Sequence, residues 1–254
     1  MFPTRLIFFP AAFALFVVFA ATPPVTHAGD AARLEILGFS EDGRYFAFEQ
    51  YGNRDGTGAA YSWIDFYDVR EGRYADETQR VAVGGRERDV FNLEPTRNRA
   101  RTQAAETLDG LGIRVGNVGR QIIWRPLTDL GADSTSARFS VWTPLEGMIN
   151  QDYLLRLELH PTKSERCYFD EQAFMFDLQL IDNRTGKKKI LHHDDYLPEH
   201  RHCALAYRIA GVVVFEPVPK QDVRGTPMVV LINVFSTGFE GHDMRFTVVG
   251  GTLH

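Results

Sequence analysis

Through most of the chain, apolar and polar positions alternate with a period of two, the pattern of strands with one covered face. The run 34–39 is mainly apolar, Ser40-Glu41-Asp42-Gly43 carries the Asp-Gly pair that turns a chain sharply, and 44–49 is rich in aromatics. A β-hairpin is predicted there. In the stretch 60–67, Ile64 and Phe66 alternate with Asp65 and Tyr67, which predicts a strand with one face in water. Further strands are predicted at 121–125, 138–143, 153–160, 174–181, 207–216, 228–235 and 245–249. The fold class is mostly β.

One segment departs from that period. Between 95 and 109 there is no β-branched apolar residue, and Ala100, Ala104, Leu108 and Leu111 fall at helical spacing. A single inserted helix is predicted over about 95–110, opened by Pro95 and closed by Gly110. Arg97, Arg99 and Arg101 near its start oppose the helix dipole and are read as a solvated face.

Two local echoes suggest that one hairpin design is reused. Asp68 and Gly72 repeat as Asp182 and Gly186, each pair with a basic residue after the glycine, and Phe48-Glu49 with Gly58 repeats as Phe215-Glu216 with Gly225. "FSEDGRYFAFE" followed by "WIDFYDVREGR" resembles one blade of the propellers found in many periplasmic and secreted proteins. Because 94–119 does not fit the repeat, the expected architecture is a single domain of antiparallel propeller-like or sandwich-like hairpins.

The beginning of the chain changes the setting. Residues 1–28 hold one charge, Arg5, an apolar run over 6–21 and a small-residue end at Thr26-His27-Ala28, which reads as a secretory signal peptide. The apolar run is too short to span a bilayer, and nothing later replaces it, so no stable membrane insertion is expected once the leader is removed. Residues 29–254 then form one exported β-rich domain, periplasmic or secreted. Removing Arg5 with the leader leaves 27 basic against 33 acidic residues, a net charge of −6. A mildly acidic chain with no basic run is a poor partner for nucleic acid.

The whole mature chain also resembles a bacterial family of predicted secreted proteins with a domain of unknown function, on the strength of "LGFSEDGRYFAFEQYG", "AYSWIDFYDV", "HCALAYRIAGVVVFE" and "VFSTGFEGHDMRF". That resemblance implies export and a single domain, and it brings no catalytic residue.

Chemistry concentrates in "HHDDYLPEHRHC", residues 192–203, with four of the eight histidines, three carboxylates and one of the two cysteines. In an exported chain Cys167 and Cys203 are expected to form a disulfide. The segment is then a polar loop beside that bond, and the alternative is a zinc site built from His192, His200 and His202 with Asp194 or Asp195. No other cofactor is expected. The loop 53–58 fails as a calcium site because Tyr51 and Ser62 stand where carboxylates are needed. Gly38-Phe39-Ser40-Glu41-Asp42 lacks the second glycine of a hydrolase elbow, and neither a Walker loop nor a dinucleotide fingerprint is present. Lacking catalytic signatures, the chain is read as a non-catalytic binding module for an envelope protein or glycan, using aromatics such as Tyr51, Tyr61, Trp63 and Tyr67. The alternative is a metal-dependent hydrolase centred on 192–202.

Overall fold

The computed structural model describes residues 29–75, 80–84, 91–141, 151–168, 170–216, 225–239 and 241–253. The leader reading at 1–28, positions 142–143 of a predicted strand and the connection 217–224 of the second echo lie outside them.

Three antiparallel sheets stack face to face, with one helix on the outside. The first sheet runs β1 (Arg33–Phe39), β2 (Tyr45–Asn53), β3 (Ala60–Asp68) and β4 (Arg73–Tyr74), and β5 (Val81–Gly84) also pairs with β3. The helix α1 spans Leu93–Gly110. The central sheet joins β6 (Arg120–Trp124) to β11 (Ala204–Val214), β12 (Pro227–Thr237) and β13 (His242–Thr252). The third holds β7 (Ser136–Val141), β8 (Gln151–Thr162), β9 (Ala173–Asp182) and β10 (Lys188–His193) in meander order. These hairpins stack as a layered sandwich, so the expected mostly-β class with one helix holds.

The central sheet is covered on both faces, which explains the near-continuous apolar run along β12. Met228, Val230, Ile232 and Val234 pack with Leu155, Leu178 and Phe176 of the third sheet, while Val229 and Leu231 pack with Phe46, Phe48 and Tyr67 of the first. On β11 the facing parity switches along the strand. Tyr207 and Ile209 face the third sheet, and after a bulge at Ala210 so do Val212 and Val214.

The first sheet likewise has no wet face, contrary to the expectation for 60–67. Ile64 and Phe66 pack under α1 with Ala100, Ala104 and Leu108, while Asp65 and Tyr67 are 3% and 2% exposed on the opposite side. The strand is sandwiched between two layers, so its polar position is buried instead of solvated.

Arg97 and Arg101 are not a solvated face either. Glu49 of β2, fully buried, accepts hydrogen bonds from Arg97 Nε at 3.0 Å, Arg101 Nη2 at 2.7 Å and Ser62 Oγ at 2.8 Å. Burial alone would raise the Glu49 pKa, but these donors hold it below the usual carboxylate range. Three short alanine and leucine contacts give α1 little apolar area, so this ion cluster docks it. At the far end, left-handed geometry falls at Gly112 (φ 65°), two residues beyond the predicted stop.

The first echo is real. Asp68 Oδ1 accepts the N–H groups of Arg70 and Glu71, Asp182 Oδ1 those of Arg184 and Thr185, and Gly72 and Gly186 both take positive φ.

Candidate functional site

The segment 192–203 begins as the end of β10, turns at 194–198, makes a short 3-10 turn at Glu199–Arg201 and returns to β11. Two anchors fix it. Cys203 is bonded to Cys167 in the β8–β9 connection, so the disulfide ties the third sheet to the start of the central one. Asp194, 6% exposed, accepts a hydrogen bond from Phe176 N at 2.9 Å and pairs with Arg201 Nη1 at 2.6 Å. Arg201, equally buried, lies over the Phe176 ring at 4.6 Å. Burial works to raise the Asp194 pKa, yet the His192 contact, Arg201 and the Phe176 N–H together hold it below the usual range. This is a buried ion pair that shapes a loop, with only the Arg201 Nε left without a hydrogen-bond acceptor among the pair's buried atoms.

The three histidines of the zinc reading have different surroundings. His192 Nε2 is 2.7 Å from Asp194 Oδ1, so its ring serves the anchor. His200 reaches the other way and meets Tyr74 of β4 edge-on, with ring centroids 5.8 Å apart. His202, at φ 51°, lies on the exposed side near Arg166 and Arg245. Partial loss of solvation, then the neighbouring Arg201 and Arg80, lower the pKa of His200, and loss of solvation, then Arg166, does the same for His202. His200 keeps an exposed side chain, so solvent tempers the effect on it.

By reaching Tyr74, the segment closes a cleft of about 440 Å³ against the first sheet, a size typical of small-ligand sites. Tyr196, Pro198, Glu199 and His200 form one wall, Tyr74 and Arg80 the other, and Phe66, Phe246 and Asp65 line the floor. The charges here are already partnered. Arg80 lies against Asp65, with Nη2 donating to Oδ2 at 3.3 Å while its buried Nε, 2.8 Å from Oδ1, lacks an aligned acceptor; Gln50 Nε2 donates to Asp65 Oδ2 at 3.2 Å, and the exposed Glu199 pairs with Arg166 at 2.8 Å. Burial raises the Asp65 pKa against the opposing pull of Arg80. What remains open to a ligand is aromatic surface, above all Tyr196, 70% exposed, and one imidazole.

Residues 47–252 match the family described as "Predicted secreted protein (DUF2259)". The chain belongs to this family. The matched stretch of this DUF2259 protein runs from within β2 to the end of β13, so both cleft walls, its floor and the disulfide fall inside it. None of the curated proteins compared with it matches. Among the described residues no helix is long and apolar enough to cross a membrane.

Sequence reading reached one wall of this DUF2259 cleft and missed the other. Tyr196 and His200 lie in the segment it singled out, whereas Asp65 reads as a wet strand position and Arg80 and Tyr74 lie in short edge elements without pattern. Of the aromatics nominated for binding, Tyr61 and Tyr67 are core residues, and Tyr51 and Trp63 are half-buried. Trp63 carries Arg80 over its ring at 4.9 Å and Arg245 at 5.4 Å, so cation–π contacts already occupy it.

Proposed function

We propose that this protein is an exported, non-catalytic binding module whose cleft between the 196–200 wall and Tyr74 takes an uncharged glycan segment of the cell envelope. The observation that carries this reading is the combination of open aromatic surface with charges that are satisfied internally. A charged ligand would have to displace Arg80 from Asp65 or Glu199 from Arg166, whereas a sugar presents apolar ring faces to tyrosines and hydroxyls to an imidazole and a carboxylate. Of the histidines a metal-dependent hydrolase would use, His192 is engaged by Asp194 and His200 lies against Tyr74, so a hydrolase reading draws less support.

The first described residues are anchored in the fold. A Cβ on Gly29 would fall 1.9 Å from the His242 carbonyl oxygen. Asp30 is buried, accepting the Tyr61 hydroxyl at 2.9 Å and pairing with Arg245 at 2.6 Å. Residues 29 and 30 are therefore fixed against β13, and the disulfide suits an oxidising compartment, which supports export.

The test is calorimetric titration of the mature protein with neutral oligosaccharides released from envelope polymers. Saturable binding that weakens about tenfold in Tyr196→Ala, a loss of about 1.4 kcal/mol, is the expected result. Lack of binding to any of them, alongside capture of a defined envelope protein by the same cleft, would replace the glycan by a protein partner.

A further inference from the structure

The solvent face of the third sheet, on the far side of it from the central sheet, brings titratable side chains from three neighbouring strands into one row. Glu158 of β8 stands opposite Asp177 of β9, and Asp177 opposite His193 of β10. His160, two residues along β8, reaches back to the same carboxylate. Its Nε2 is 3.1 Å from Asp177 Oδ2, and His193 Nδ1 is 2.7 Å from Asp177 Oδ1. Two imidazoles thus converge on the two oxygens of one carboxylate.

Three independent features show that the row wants a cation. First, His160 Nε2 is buried and has no hydrogen-bond partner, although the ring as a whole is 45% exposed. Its close approach to Asp177 is too poorly aligned to be a hydrogen bond, and a buried nitrogen without a partner asks for one. Second, His193 turns its other nitrogen, Nε2, toward Asp195 Oδ1 at 3.6 Å. At that distance the contact is an ion-pair approach and not a hydrogen bond; closing it would orient the ring and strengthen Nδ1 as a metal donor. Third, Glu158 and Asp177 are like charges directly across a strand pair, which calls for positive charge beside them; the imidazoles supply it only when protonated, whereas a bound cation supplies it with both rings neutral.

We propose that His160, Asp177 and His193 bind a divalent transition cation of the zinc type, with Glu158 as a further oxygen donor and Asp195 as the positioning carboxylate behind His193. Mixed imidazole and carboxylate donors suit zinc, nickel and copper better than calcium or magnesium. The rings rest on the carboxylate, and among the described residues no three His, Cys, Asp or Glu side chains are grouped closely enough to hold a metal ion as they stand, so binding requires both rings to turn. Both rings are about half exposed on an open strand face, at 45% and 58%, so they are free to turn onto a shared ion. The site is separate from the cleft and does not depend on the glycan reading. It also differs from the zinc set expected from the sequence: His193 stands next to His192 but points to the opposite face of the strand, where His160 awaits it.

The test uses tag-free mature protein stripped with a chelator and titrated with zinc chloride by calorimetry, with cobalt(II) absorption as a second readout. One ion per chain, held in the micromolar range, is expected. His160→Ala and His193→Ala should each weaken it at least about tenfold and Asp195→Asn by a smaller factor. A His200→Ala/His202→Ala protein should bind as the parent does. Because the substituted positions lie on a solvent face, circular dichroism should be unchanged, and His160→Gln/His193→Gln provides a second, size-preserving pair. Absence of zinc uptake at submillimolar concentration, or undiminished uptake by the His160/His193 double variants, overturns the proposal. So does loss of uptake in the His200/His202 variant.

Discussion

Glu49→Gln isolates what docks the helix. The native carboxylate accepts five hydrogen bonds, one from Ser62, two from Arg97 and two from Arg101, at 2.7–3.0 Å. Glutamine keeps the volume and one acceptor but replaces the other oxygen with an NH2 group aimed at guanidinium donors. Arg97, with a side chain 13% exposed, then keeps only Glu35, itself 44% exposed. Removing one partner from a fully buried ion pair costs roughly 3–5 kcal/mol. Arg101 is 40% exposed and water recovers much of its share, so the expected loss is about 3 kcal/mol. The apolar contacts of α1 on the sheet are few and small, with Ala100, Ala104 and Leu108 at the interface, so the loss should appear first as opening of the helix. Urea unfolding followed by circular dichroism gives the global figure, and native-state hydrogen exchange gives the local one. A cost below about 1 kcal/mol with unchanged protection of α1 amides would refute the claim that charge, and not apolar area, holds this layer.

The other expectations concern the disulfide and acid. Cys167→Ala/Cys203→Ala removes a cross-link 36 residues in span, which on chain entropy alone costs about 4 kcal/mol; a midpoint shift under 1 kcal/mol in urea would show that the unfolded chain is already constrained. Glu49 and Asp194 have folded pKa values below the unfolded ones, so their stabilisation is complete above about pH 4 and disappears as pH falls through the folded values. Asp30 and Asp65 are raised, so they take up protons in the folded state above about pH 4 and stability gains as pH falls through that window. His200 and His202 are lowered and oppose this gain as pH falls below about 6.5, tempered by their exposure, so the melting temperature should change little from pH 7 to about 5 and drop below about 4. A steady decline starting at pH 7 contradicts this sign.

The fold was legible where one layer covers one face. The opening hairpin, α1 and the strands of the third sheet announce themselves by period, and the Asp-to-Gly turns by their side chains. The central sheet was legible as strands but not as a centre: a run such as Met228 to Phe235 does not say which neighbour each side chain meets. Bulges add to this. The extra residue at Leu37 sends that side chain to the helix while Ile36 and Phe39 face the central sheet, and no alternation rule anticipates the switch. β10 was hidden because Lys188, Ile190 and His193 are exposed at a sheet edge, where apolar and polar positions cease to report burial. The same edge explains why the segment 192–203 does not by itself disclose which groups its histidines meet. Four histidines close in sequence are distributed over different environments, and His193 pairs with Asp177 from 16 positions earlier, on β9.

The cleft exists because two stabilising devices act on one stretch of chain from opposite ends. Asp194 and Arg201 fold the turn onto Phe176 and Tyr207, while the disulfide fixes its exit into β11. Between them, residues 196–200 have too few internal apolar contacts to form a wall alone: Tyr196 is largely exposed, and His200 leans on Tyr74 of another sheet. Reducing the bond should thus loosen this wall before it unfolds the sheets, whose cores contain neither sulfur as a packing centre. The cleft wall and the oxidising compartment are in this way physically linked, since the cross-link is one of the two anchors between which the wall is held.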